Sequence, residues 1–315
     1  MTDNQNENIE LLVRIAWYYY KSGMTQEEIA NRLGLNRARV IKALEAARKQ
    51  GIISFSIKGP YTNCLQLEND IKERWKLRDT LIIPEIEQIA INRNLGAAVA
   101  QYVTMRCNLK DALIGVGWGN TVSYVLDNLT NDIISKVSLI TLCGGINVYL
   151  QHTYGQDRSP MFRLMKRFHI IPAPQIASSN KASLVIMQEP QVARVIQMAG
   201  LANMAIVGIG GMSANETMIN VDEISFQEYE VLGKLGAVGS ILGQFFDRQG
   251  RKLEIEYHQR VIAVDLETLK NMQHVIGTAG GDHKVDAIRG ALRGGFIHSL
   301  ITDERTAMML LEKGE

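Results

Sequence analysis

The sequence predicts an α/β protein in two parts, a small all-helical unit followed by a large, mostly parallel sheet with helices on both faces. Three observations carry this expectation. The first sixty or so residues show apolar positions at helical spacing only. From about Asp79 onward, short runs rich in Ile and Val alternate with helical stretches, which is the pattern of βα units. Charge is also unevenly divided: the chain as a whole carries +1, yet residues 1–60 hold 9 Lys and Arg against 6 Asp and Glu. A length of 315 residues suits one large domain plus a small one. With 46% hydrophobic and 21% charged residues, wholesale disorder is excluded, and so is a uniformly basic or acidic surface.

The helical part reads as three helices. Ile9, Leu12, Val13, Ala16, Trp17 and Tyr20 form one apolar face, and Gly23 stops that helix. Thr25 opens the second helix as N-cap, and Glu28, three residues on, completes a capping box. Ile29, Ala30 and Leu33 point inward, Gly34-Leu35 turns the chain, and Asn36 caps a third helix with Val40, Leu44 and Ala47 inside. Between residues 32 and 58, Arg32, Arg37, Arg39, Lys42, Arg48, Lys49 and Lys58 face only Glu45. Two short helices joined through a glycine turn, the second with a basic start, make a helix-turn-helix for the major groove of DNA. Any three-helix cap would share the outline; the position of the charge favours DNA. Arg37, Ala38, Arg39 and Lys42 are the candidates for base edges. Thr25 and Gln26, at the start of the second helix, are placed for a phosphate, with Asn36 fixing the start of the third. The apolar run Ile52–Ile57 is a candidate wing. Residues 1–58 are thus the DNA-binding domain, 59–78 a linker helix, and 79–315 the large domain. The stripe Cys64, Leu67, Ile71, Trp75 on the linker serves either a dimer connector or packing on its own domain.

In the large domain, strands are expected at Thr80–Ile83, Ala112–Val116, Ser138–Leu142, Met204–Ile209, Val261–Val264, His274–Gly277 and Phe296–Ile301. Helices are expected over Asn94–Arg106, Asp282–Arg293 and Asp303–Leu311. The whole is Rossmann-like, and such sheets bind ligands at the carboxyl ends of their strands. Glycine clusters fall there: Gly115-Val-Gly117-Trp118-Gly119-Asn120-Thr121, Gly144-Gly145-Ile-Asn147, and Gly208-Ile-Gly210-Gly211. Backbone N–H groups in the first could cradle a phosphate; any one such loop could equally serve a turn. Walker A and dinucleotide fingerprints are both missing, which argues against ATP and NAD. Asp247 follows Phe245-Phe246 and suits sugar hydroxyls, or else closes a turn with Gly250. Lys284 sits where a helix begins, an unfavourable place for a cation unless it holds an anion. Ser178 and Ser179 either donate to a ligand or cap the next helix.

Six histidines and three cysteines show no metal-ligand spacing, so neither a metal nor a cofactor is expected. The charge-free stretches Val137–Gln156 and Val195–Asn215 carry glycines and amides and do not read as membrane spans. The polar N-terminus does not read as a signal peptide, and free thiols suit a cytoplasmic location.

These residues together resemble the SorC family of sugar-sensing bacterial transcription regulators. The motifs are Arg14-Ile-Ala-Trp-Tyr-Tyr19, Met24-Thr-Gln-Glu-Glu-Ile-Ala30 and Leu33-Gly-Leu-Asn-Arg37 at the start of the chain. Further on they are Ile171-Pro-Ala-Pro174, Ala205-Ile-Val-Gly-Ile-Gly210, Gly236-Ala-Val-Gly239, Phe246-Asp247, Ala279-Gly-Gly281 with Lys284, and Leu300-Ile-Thr-Asp303. The resemblance implies an effector domain similar to glucosamine-6-phosphate deaminase and ribose-5-phosphate isomerase. It implies a phosphorylated sugar or polyol as effector, a homodimer or homotetramer, and contacts from Asp247 and Lys284, with Gly117–Thr121 near the phosphate. Some relatives place a lysine before the Gly144-Gly145 pair and bind an aldehyde there as an imine; here Cys143 stands in that place, which argues against a covalent mode. The expected function is a repressor of a carbohydrate or polyol operon, bound to double-stranded operator DNA and released by its effector. The alternatives are an activator of the same architecture, or a sugar-phosphate isomerase or deaminase with an accessory helical domain.

Overall fold

The computed structural model describes residues 2–53, 62–85, 90–106, 111–145, 167–213, 216 and 224–312. The chain divides into two compact units, Met1–Gly59 and Pro60–Glu315.

The first unit contains α1 (Thr2–Tyr20), α2 (Gln26–Leu33) and α3 (Arg37–Lys49). Thr25 Oγ1 accepts from the Glu28 N–H while the Glu28 carboxylate accepts from the Thr25 N–H, so the capping box is complete. Gly34 closes α2 at φ 64°, the left-handed region. Asn36 Oδ1 accepts from the Arg39 N–H at 2.8 Å and starts α3. Ile29, Ala30, Val40, Ala43, Leu44 and Ala47 are buried together with Leu12 and Ile15. The inner face of α1 differs from the expected one. Leu12, Ile15 and Ala16 are buried, whereas Ile9, Val13 and Trp17 are 46%, 46% and 59% exposed. The helix is apolar on nearly every side, so spacing alone did not fix which side packs on α3. In the expected wing, Ile52 and Ile53 pack against this small core, and residues 54–57 lie outside the described residues.

The second unit holds a seven-stranded, all-parallel sheet in the order β1-β9-β8-β5-β2-β3-β4. The strands are β1 (Asp79–Ile83), β2 (Ala112–Val116), β3 (Val137–Thr141), β4 (Phe168–His169), β5 (Met204–Gly208), β8 (Val275–Thr278) and β9 (Ser299–Asp303). An antiparallel hairpin, β6 (Gly239–Ile241) with β7 (Gln244–Phe246), stands apart from it. β8 and β9 are buried at every position, as parallel strands covered on both faces are, although Thr278, Ser299, Thr302 and Asp303 are polar. The helices are α4 (Thr62–Trp75), α5 (Ile91–Arg106), α6 (Asn120–Asn128), α7 (Asn131–Lys136), α8 (Asn180–Gln188), α9 (Pro190–Ala199), α10 (Phe226–Lys234), α11 (Leu266–Lys270), α12 (Val285–Gly294) and α13 (Glu304–Leu311). The helix expected as a linker is α4. Its residues Cys64, Leu67 and Ile71 are buried in the core of this unit, against β1 and α13.

The strand expected over Val261–Val264 does not form. This segment makes only single bridges, Val261 with Ile176 and Ala263 with Cys143. It instead stitches two loops together: Gly144 N–H donates to the Ile262 carbonyl, and Ile262 N–H to the Gln175 carbonyl. At Gly144 a β-carbon would stand 2.3 Å from the Pro174 carbonyl oxygen, so only glycine permits that approach. From β2 the sheet runs one way through β3 and β4, and from β5 the other way through β8, β9 and β1. The switch point therefore lies between β2 and β5.

Candidate functional site

A pocket opens at the carboxyl ends of β2, β5 and β8, at that switch point. It gathers Trp118, Gly119, Asn120 and Thr121 from the loop after β2, Gly208 and Gly210 from the end of β5, and Lys284 from the turn before α12. Gly119 has φ 120°, which a side chain rarely tolerates, and it precedes α6 without any side-chain cap. The first N–H groups of α6 therefore face the pocket with no side-chain cap from Gly119, an arrangement suited to an anion. Thr121 Oγ1 donates to Asn92 Oδ1 at 2.9 Å. Lys284 Nζ lies 3.6 Å from Glu216 Oε2 and donates to the Ile209 carbonyl. Glu216 Oε1 accepts from Gly211 N–H at 3.0 Å and Ser213 Oγ at 3.3 Å. The nearby Tyr229 hydroxyl donates to the Gly211 carbonyl. Burial, with the Glu216 carboxylate beside it, pushes its pKa up and keeps it a hydrogen donor.

Other expected residues lie elsewhere. Asp247 does not line this pocket. Its Oδ1 accepts from Gln249 N–H and Arg251 N–H, each at 2.9 Å, and its Oδ2 lies 2.7 Å from the Arg251 guanidinium. Burial pushes the Asp247 carboxyl up, but the Arg251 and Gln249 donors outweigh it and hold the group below the usual carboxylate range. The turn reading of Asp247 thus describes this geometry, and the sugar-contact reading does not. Ser179 Oγ accepts from Ala182 N–H and caps α8, while Ser178 is exposed on the approach to it; neither lines the pocket. Gly117, Gly144 and Gly145 pack under and beside the pocket and do not line it. Asn147 lies outside the described residues.

On the first unit, Arg37, Ala38, Arg39 and Lys42 are all exposed at the start of α3. Arg37 Nε donates to Gln26 Oε1 at 3.4 Å, which ties the starts of α2 and α3. The Thr25 hydroxyl is engaged by Glu28 both as donor and as acceptor, so it has no free proton for a phosphate. Arg48 is held by the Tyr20 hydroxyl at 2.6 Å.

Residues 59–312 match the sugar-binding domain family Sugar-bind. The transcriptional regulator LsrR of Enterobacter sp. (strain 638) is 34% identical over 306 residues, which span 96% of this chain and 93% of that one. The full-length sorbitol operon regulator SorC of Klebsiella pneumoniae superposes with a TM-score of 0.71 at 25% identity, over 96% of this chain and 99% of that one. The sugar-binding domain of a transcriptional repressor from Vibrio fischeri gives 0.66 at 26% identity, over 78% and 98%. The chain belongs to the SorC family of sugar-binding transcriptional regulators. The isomerase and deaminase alternative falls with that membership: this is a regulator with a sugar effector, not an enzyme. Among the described residues, no helix is long and apolar enough to cross a membrane, and no group of His, Cys, Asp and Glu could hold a metal ion.

This SorC-family regulator builds its pocket partly from residues that its sequence did not single out, namely Asn92, Glu216, Tyr229, Ser240, Leu242, Gly243 and Thr278. One of them left a signal: Glu216 is the acid that ends the charge-free stretch Val195–Asn215. The others, apart from Ser240, Leu242 and Gly243 in the β6–β7 hairpin, come from separate elements.

Proposed function

We propose that this regulator represses a carbohydrate or polyol operon. In this reading it binds operator DNA through α3 and is released when a phosphorylated sugar or polyol enters the strand-end pocket. Arg37, Ala38, Arg39 and Lys42 read base edges; Gln26 and the backbone start of α2 meet a phosphate. The effector's phosphate takes the open start of α6, and Lys284, Glu216 and Ser240 take its hydroxyls. The observation that carries this reading is the uncapped start of α6 meeting Lys284 in one pocket at the sheet's switch point. The similarity to a transcriptional repressor of Vibrio fischeri supports the sign, and that to the sorbitol operon regulator SorC supports the ligand class. Release requires that the effector favour the DNA-incompetent state, by about 1–3 kcal/mol for typical couplings. A homodimer or homotetramer would meet a palindromic operator with half-sites about 10 bp apart or a multiple of that.

The test is anisotropy of a labelled duplex from the gene's own upstream region, at two salt concentrations, with a panel of sugar and polyol phosphates. Tight, salt-sensitive binding that one compound weakens at least tenfold is the expected outcome. Arg39→Ala should weaken cognate binding by roughly 1–3 kcal/mol if the arginine pairs with a guanine. A compound that tightens binding would reverse the sign to activation. Binding no stronger than to random DNA would overturn the reading.

A further inference from the structure

Behind the pocket lies a group of polar atoms that the fold itself leaves unpaired. Gln175 is fully buried, yet among the described residues neither its Oε1 nor its Nε2 has a hydrogen-bond partner. Trp118, 91% buried by its 9% exposure, likewise leaves Nε1 without an acceptor. The two lie around the same glycines. A β-carbon on Gly145 would stand 3.1 Å from Gln175 Cβ and 3.5 Å from Trp118 Nε1; one on Gly243 would stand 3.0 Å from Gln175 Nε2. Trp118 and Gly243 both line the pocket. Having no side chain, Gly243 leaves the amide next to the pocket wall. The backbone holds the amide in place, because the Gln175 carbonyl accepts from Ile262 N–H at 2.8 Å.

Burying an amide with both atoms unpaired is unfavourable unless something pairs them. A leucine of similar size would remove that penalty, so packing alone gives no reason for glutamine here.

We propose that Gln175 and Trp118 form a second, neutral subsite of the effector pocket, which reads the unphosphorylated end of a polyhydroxylated ligand. The Trp118 N–H needs an acceptor, and the Gln175 amide offers an NH2 donor group and a carbonyl acceptor group. Vicinal hydroxyls, or a hydroxyl beside a carbonyl, meet all three. Both groups are neutral, so a carboxylate or an amine would be desolvated there without a countercharge. This inference rests on the pocket being the effector site.

The test uses the full chain and calorimetric titration with sorbitol 6-phosphate, fructose 6-phosphate and ribose 5-phosphate, and with inorganic phosphate as a probe of the anion end alone. Gln175→Leu should weaken the tightest sugar phosphate about tenfold or more. It should leave inorganic phosphate unchanged and the melting temperature equal or higher, a combination that a purely structural role does not give. Trp118→Phe, which keeps the ring and removes the donor, should weaken the same compound by a smaller factor and again spare inorganic phosphate. If Gln175→Leu binds the sugar phosphate as tightly as the parent, the subsite is overturned while the pocket stands; the amide then pairs only with internal water. If the parent binds no sugar phosphate of the panel, the pocket reading and this subsite fall together.

Discussion

The two units place their candidate binding groups in opposite ways. On the first, Arg37, Ala38, Arg39 and Lys42 sit side by side in sequence and point outward, held by caps and turns a few residues away. In the second, the pocket draws on Asn92, Trp118, Gly208, Glu216, Tyr229, Ser240, Thr278 and Lys284, brought together by a parallel sheet and largely turned inward. A surface built locally can change its binding residues without touching its core. A pocket assembled from distant loops cannot, because the atoms that line it also carry packing.

That contrast can be tested by perturbing each unit in turn. The largest effect is expected at Gly144→Ala. The new β-carbon would meet the Pro174 and Ala173 carbonyl oxygens at 2.3 and 2.5 Å, and the second unit should lose about 3 kcal/mol in denaturant melts. A full-strength second unit would show that the 173–175 loop yields more easily than its hydrogen bonds suggest. Next comes Thr25→Ala, which removes a cap from the first unit and should cost it about 1 kcal/mol. The second unit should melt as before.

The smallest effect concerns pH. Burial, helped by the Lys252 cation, pushes the His258 pKa down to about 4, and its Nε2 accepts from Phe245 N–H. Burial and Arg78 lower His298 in the same direction. Both imidazoles take up protons more readily when unfolded. Stability they confer is complete above their ordinary pKa and falls as pH drops from about 6.5 toward 4. Residues 1–59 contain no histidine. Between pH 7 and 5 the second unit should therefore lose melting temperature and the first should not, read through variants that keep only Trp17 or only Trp75. Equal slopes in both units would mean that other groups govern the pH response.

How far the sequence could be read follows the same division. The Thr25–Glu28 box, the Asn36 cap and the Gly34 turn were legible because each is closed within four residues. The loop Gly117–Thr121 was legible for the same reason: strand, glycines and helix follow one another. Asp247 was ambiguous because an acid after two phenylalanines fits a ligand contact and a turn equally; Gly250 and Arg251 decide it through contacts that spacing does not reveal. Tyr229 and Asn92 left no local signal, since what brings them to the pocket is the sheet order and not their neighbours in sequence; Glu216 left only one, as the acid that ends a charge-free stretch. The phase of α1 was lost for a third reason, apolar residues on nearly every side beyond the exposed Glu10–Arg14 pair.

The sheet's edge carries a consequence for how the molecule is made. β1, at residues 79–83, lies in parallel register against β9, at residues 299–303. The first strand of the second unit to leave the ribosome thus waits for the last of the sheet before it gains its neighbour. By then the three-helix unit, whose contacts are all short in sequence, has long been free to fold. A message cut shortly before codon 299 would release a chain with an intact helix-turn-helix and an unpaired, apolar strand edge. Such a chain could still occupy DNA but could not sense a sugar, and would be prone to aggregate.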